Sequence, residues 1–191
     1  MNVHISKGNT KLGNKISNIS LTPILACGKT VPCKKGCYAK KFLMRPSVKK
    51  AWSENLAIAR KNPVKFFLAI WDHLEKKRPE FFRWHVAGDF LDQLYLNRVF
   101  ALAYKFPDIK FLAFTKRFDL DFSKCPKNFS IVLSMWPGQA NPNINLPRAW
   151  MDDGTETRVP ANAIHCPGGC ESCGMCWSLK GLKRDVVFHK H

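Results

Sequence analysis

Apolar positions along the chain fall into two kinds of run. In the first they recur every three to four residues. Val48, Trp52, Leu56 and Ala59 share one face of a helix predicted over 48–60, with Ser47 placed to cap it. Asn62 and Pro63 open a second helix at once; its stripe is Val64, Phe67, Leu68, Trp71 and Leu74, and Lys76, Lys77 and Arg78 suit its C-terminal dipole. A third helix is predicted over 92–105, with Leu94, Tyr95, Val99, Leu102 and Ala103 apolar and Pro107 stopping it. In the second kind of run the apolar residues are nearly continuous and short. These runs predict strands at 15–22, 81–87, 109–115, 130–136 and 185–190. Such strands, separated by helices or long connections, predict a parallel sheet covered by helices. The expected fold is α/β: an incomplete TIM-like barrel or open parallel sheet with flanking helices and cysteine-rich loops, in one domain over 1–191. Residues 137–160 are rich in Pro, Asn and Gly and read as an irregular connection.

Composition sharpens this picture. Of 191 residues, 46% are hydrophobic and 24% charged, which excludes a disordered chain. No run approaches the ~20 apolar residues of a membrane span, so no membrane partner is expected. The N-terminal stretch lacks an apolar signal core, and the expected location is cytoplasmic. The net charge of +17 is uneven: residues 1–50 hold eleven Lys and Arg and no acid. That field attracts polyanions, which makes nucleic acid an expected partner of the basic N-terminal region.

Eight cysteines change the picture most. In a reducing compartment, tight cysteine groups point to metal or catalysis before disulfides. Cys27, Cys33 and Cys37 lie in the loop 24–38, with Gly28, Pro32 and Gly36 among them. Cys166, Cys170, Cys173 and Cys176 occupy eleven residues with Gly168, Gly169 and Gly174 between them. Four thiolates so close, separated by glycines that let backbone N–H groups reach inorganic sulfide, suit a [4Fe–4S] cluster. A zinc ribbon usually spreads its two pairs over a longer span, yet a zinc staple of the C-terminal tail is the alternative. Three thiolates alone would leave one iron open to a ligand. Alternatively His4, His165, Cys125 or a cysteine of the second group completes the shell, or both groups share one centre. One cluster or two are equally compatible with the spacing.

The segments GNTKLG, Cys37-Tyr38-Ala39, RWHVAGDF (83–90), PDIKFLAFTKR (107–117), CGMCW and VVFHKH together resemble the phage gene-product-eighty-eight-like family over most of the chain. The layout is also similar to the radical SAM superfamily, in which a three-cysteine loop follows the first strand of a partial barrel. That resemblance implies Cys27, Cys33 and Cys37 as cluster ligands. It implies Gly88 and Asp89 as the cofactor-binding motif after the second strand, with S-adenosylmethionine bound at the open iron and an electron-donor protein as partner. Thr115-Lys116-Arg117 and Ser134 would match the motifs ending the third and fourth strands. The loop spacing here is Cx5CxxxC, and Asp89 stands where that superfamily has glutamate.

Other residues carry simpler expectations. Arg83 and His85 should share one face of their strand, as a hydrogen-bonded pair at a solvated edge. Asp89 and Asp92 are candidate helix caps. Lys116 and Arg117 are expected in a solvated loop, Cys125 as an ordinary free thiol, and His189 and His191 as inert terminal residues. Trp177 is placed to shield a cluster from water. Two functional classes follow: an iron–sulfur enzyme with radical SAM-like chemistry, and a non-catalytic iron–sulfur protein for electron transfer or iron and sulfur handling. A zinc-stapled basic nucleic-acid-binding protein is the third.

Overall fold

The computed structural model describes residues 1–29, 31–152 and 154–189. Seven strands form one open parallel sheet: β1 (Ser17–Ile19), β2 (Phe81–Trp84), β3 (Lys110–Thr115), β4 (Phe129–Ser134), β5 (Arg148–Asp152), β6 (Ile164–His165) and β7 (Val186–His189), in the order β1-β2-β3-β4-β5-β7-β6. Every neighbouring pair is parallel. The expected α/β class is therefore the observed one.

Helices α1 (Pro46–Lys61) and α2 (Pro63–Lys77) connect β1 to β2, and α3 (Gln93–Lys105) connects β2 to β3. The Asn62 side chain accepts the Lys65 amide at 2.9 Å, and Asp92 accepts the Tyr95 amide at 2.7 Å. Both therefore cap as expected. The first helix begins one residue before Ser47, because Pro46 already has the φ a first helical position needs.

Alternation along the strands sorts two cores. Phe82, Trp84, Phe111, Ala113, Phe129, Ile131 and Leu133 face the helices, meeting Leu56, Phe66, Ile70, Leu74 and Val99. Leu112, Val132, Ala149 and Val186 face the other way, against Trp177, Leu179 and the thiols of Cys166, Cys170 and Cys176. The C-terminal segment thus covers the sheet face the helices leave bare. This segment holds two one-turn helices, α4 (Cys170–Cys173) and α5 (Leu179–Leu182).

Three expectations need correction. The stretch 137–160 is not irregular throughout, because β5 lies inside it between β4 and β7. Its anchor is remote in sequence: Asp185 accepts the Arg148 amide and the Trp150 indole N–H, both at 2.8 Å. The strand β6 was not expected either. Arg83 and His85 do not share a face, since β2 ends at Trp84 and His85 turns into the left-handed region at φ 54°. The final strand ends at His189; Lys190 and His191 lie outside the described residues.

Candidate metal centre

The chain leaves β1 at its C-terminal end and returns over that edge of the sheet in the loop carrying Cys27, Cys33 and Cys37. In open parallel sheets this edge is where ligand sites collect. The loop is tied down at several points. The Leu21 amide donates to the Ala87 carbonyl at 3.0 Å, and the Tyr38 hydroxyl donates to the Val86 carbonyl at 3.0 Å. Gly88 lies at φ +82°, and a Cβ there would meet Leu21 Cβ and its carbonyl oxygen at 2.9 Å. Glycine at 88 is therefore what lets the end of β2 approach the loop so closely.

Burial pushes the Cys27 thiol up to about 11, with Asp89, Cys33 and Cys37 adding to the rise. Burial also raises Cys33, with Cys37 pushing the same way, while the nearby Lys116 ammonium opposes it. The three thiols thus lie within electrostatic reach of one another, and a cation stands beside them.

Asp89 ties the segment after β2 to the end of β3. It is buried; its carboxylate accepts the Thr115 hydroxyl at 2.7 Å, the Lys116 amide at 2.9 Å and its own neighbour's amide, that of Phe90, at 2.8 Å. Lys116 Nζ donates to Ser134 Oγ at 2.6 Å and stands 5.8 Å from the Trp136 ring centre. Arg117 donates to the carbonyls of Phe90 and Leu91 at 2.6 and 2.8 Å and pairs with Asp119 at 2.8 Å. It is a buried strap rather than a solvated loop residue. Asp89 does not cap α3. Both of its oxygens accept hydrogen bonds from within the chain, so it positions the strand ends around it.

The second group lies against the opposite face of the sheet. Cys166, Cys170, Cys173 and Cys176 line one recess of about 20 Å³, room for a single water-sized guest. Burial raises Cys176 to about 12, with Cys170, Cys166 and Cys173 contributing and Arg83 opposing. The thiols that act on Cys27 and Cys33 belong to the first group, and those that act on Cys170 and Cys176 belong to the second. Arg83 is the element both sides share: its cation acts on Cys170 and Cys176 and on Tyr38, beside Cys37. Its guanidinium lies 4.9 Å from the Phe114 ring centre, and its buried Nε has no hydrogen-bond partner among the described residues. Trp177 packs on Phe81 at 4.9 Å and donates to the Phe82 carbonyl at 3.3 Å.

The other candidate ligands are occupied elsewhere. His4 pairs with Glu54 at 2.6 Å. His165 Nδ1 lies 3.3 Å from His189 Nε2, and His189 Nδ1 lies 3.3 Å from Asp152, so His189 is not inert. Cys125 sits 3.4 Å from the Phe129 carbonyl in the helix-side core, half-buried. Among the described residues, no three or more His, Cys, Asp or Glu side chains form a ready-made site for a metal ion. Trp136, beside the Lys116 ammonium, and the Tyr38 hydroxyl, tied to Val86, were not expected as site residues. Only Tyr38 carried a signal, its place directly after Cys37.

Among the described residues no helix is long and apolar enough to cross a membrane. Residues 3–179 match the family model described as Gene product 88. No curated protein and no solved structure matches the chain.

Proposed function

The chain belongs to the Gene product 88 family, a phage gene-product family, and from that premise we propose that it is an iron–sulfur protein. Cys27, Cys33 and Cys37 are the residues that would hold a [4Fe–4S] cluster with one iron free. The observation that supports this is a loop that carries three cysteines over the C-terminal edge of a parallel sheet, where Cys33 and Cys37 act electrostatically on Cys27 and the Lys116 ammonium acts on Cys33. A zinc ion holds its thiolates about 2.3 Å from one point, whereas a cubane spreads its ligands over separate irons.

When bound, such a cluster supplies one electron at a time and a Lewis-acidic iron open to a small chelating ligand such as S-adenosylmethionine. The chain's own residues do the rest. Gly88 lets the end of β2 sit against the loop, Asp89 ties the adjoining strand ends together, and Lys116 offsets the anionic charge of the thiolates. The reduced thiols suit the cytoplasm of the host cell. The narrow recess of the C-terminal four favours a second reading for that group alone: a closed structural zinc centre that fastens the tail to the sheet.

Iron, zinc and acid-labile sulfide per chain, measured on protein purified without oxygen, test this. About four irons and four sulfides that vanish when Cys27, Cys33 and Cys37 become Ala support the assignment. Zinc that vanishes only when Cys166, Cys170, Cys173 and Cys176 become Ala assigns the second group as a staple. Zinc without sulfide in the wild type overturns the iron–sulfur reading and leaves a basic, metal-stapled binder of nucleic acid.

A further inference from the structure

The chain's cations crowd one segment that iron–sulfur chemistry does not use. Residues 29–50 carry eight Lys and Arg and no acid. This segment runs from the cysteine loop through a short 3₁₀ helix, Tyr38–Met44, into the first turn of α1. Local contacts string its cations together. Lys34 Nζ donates to the Lys29 carbonyl at 3.2 Å, and Lys40 Nζ donates to the Lys35 carbonyl at 3.3 Å. Lys41 and Arg45 stand over the Phe42 ring, 5.5 and 5.9 Å from its centre, and the Lys49 amide donates to the Arg45 carbonyl one helical turn back.

Little in the fold offsets this charge. Lys35, Lys40, Lys41, Arg45 and Lys49 are exposed, and among the described residues none of them makes an ion pair. Glu54, the next acid along the chain, is taken up by His4 at 2.6 Å. Like charges held in one short segment repel, and a polyanion laid across them relieves the repulsion.

The kind of polyanion follows from the residues around the charge. Interfaces between proteins are depleted in lysine, whereas phosphate contacts are made by Lys and Arg. A lipid surface takes a helix with an apolar face beside its charge, and α1 turns Leu56, Ile58 and Ala59 into the core. Tyr38 lies in the loop that the Lys40–Lys35 contact closes. Its ring is 63% exposed, and its hydroxyl is fixed on the Val86 carbonyl at 3.0 Å. An exposed ring already held in place is a platform on which an unpaired base stacks with little further ordering. We propose that this segment binds a single-stranded polynucleotide, its phosphates on Lys35, Lys40, Lys41, Arg45 and Lys49 and one base on Tyr38. A duplex offers the phosphates without a free base face. The surface needs neither cysteine group to hold metal.

The full chain, purified without oxygen, is titrated into labelled oligo(dT) and oligo(U) of about 12 nucleotides and followed by fluorescence anisotropy. Saturable binding of either strand supports the surface, and the two together show whether DNA or RNA is preferred. At about 0.15 M salt Kd should be about 1–100 µM. The slope of log K against log salt should be about −3 to −4, as expected for five phosphate contacts on a single strand. Lys40→Gln, Lys41→Gln, Arg45→Gln and Lys49→Gln combined should weaken binding more than tenfold and remove most of that slope. The same change at Lys76, Lys77, Lys105 and Lys127, which precede β2, β3 and β4 in the chain, lowers the net charge equally and should leave both nearly unchanged. Tyr38→Leu should weaken binding about fivefold or more at the same slope, and Tyr38→Phe should not, each variant being shown to fold by its amide spectrum. Equal weakening by the two fourfold variants, or an oligo(dT)·oligo(dA) duplex bound as tightly as the single strand, would overturn the proposal. So would the lack of saturable binding to either strand; capture by phosphatidylserine vesicles in that case would assign the patch to lipid instead.

Discussion

Thr115 donates its hydroxyl to Asp89 Oδ1 at 2.7 Å, joining the segment after β2 to the last residue of β3. The same carboxylate accepts the amides of Phe90 and Lys116, so three donors depend on one buried side chain. Asp89→Ala strands all three and should destabilise the chain by about 3 kcal/mol in urea unfolding. Thr115→Val removes one donor and should cost less. A double-mutant cycle should return a coupling of roughly 1–2 kcal/mol. Additive single-mutant effects would show that the bond carries no stability of its own.

His85 is 3% exposed, surrounded by Trp84, Phe90 and Tyr95, and neither ring nitrogen has a hydrogen-bond partner among the described residues. Burial lowers its pKa from 6.5 to about 3. Between those two values the unfolded chain binds a proton that the folded chain refuses. Stability from this residue is therefore intact above pH 6.5 and is lost as pH falls toward 3, at a limiting slope of about 1.4 kcal/mol per pH unit. His85→Phe keeps the ring and removes the proton site. Its urea midpoint should fall less than the wild type's between about pH 7 and pH 5. Parallel losses would assign the acid sensitivity to other groups.

These two residues also show what the chain reveals in one dimension. Asn62 and Asp92 were readable as helix caps because a cap bonds an amide three residues on. The three-cysteine and four-cysteine groups were readable for the same reason of proximity. His85 was not: the alternation of FFRWH places it beside Arg83, and only the backbone turn after Trp84 sends it to the helix side. The strand β5 was hidden because its first and third residues depend on Asp185, more than thirty positions away. Arg83 beside Cys170 and Cys176 is likewise a product of the C-terminal segment folding back over β2, a pairing no local pattern encodes.

Gly88 and Gly138 make a controlled pair, since both have positive φ, +82° and +73°. A Cβ at 138 meets nothing within 4 Å, so Gly138→Ala should cost only the left-handed conformation, about 1 kcal/mol. A Cβ at 88 meets Leu21 backbone and side chain at 2.9 Å, and backbone cannot swing aside. Gly88→Ala should therefore cost clearly more, about 2–4 kcal/mol, and shift the amide resonances of Leu21 and Ala26. Equal losses at the two sites would mean that the loop tolerates a wider gap than its packing suggests.

Trp177 tests how the C-terminal segment is held. Its indole N–H donates to the Phe82 carbonyl, its ring packs on Phe81, and it is buried in the core shared with Cys166, Cys170 and Cys176. Trp177→Phe loses the hydrogen bond and part of the volume, and should cost about 1–2 kcal/mol. Trp177→Ala opens a cavity and should cost about 3–5 kcal/mol. The larger change should also make the four C-terminal thiols react faster with a thiol reagent, because the recess they line is closed by the same packing. Cys125 is an internal reference, sitting in the other core with its Sγ 3.4 Å from the Phe129 carbonyl. A reactivity gain confined to Cys166, Cys170, Cys173 and Cys176 would identify Trp177 as the fastener of that segment, whereas a gain spread evenly to Cys125 would mean that the whole sheet had loosened.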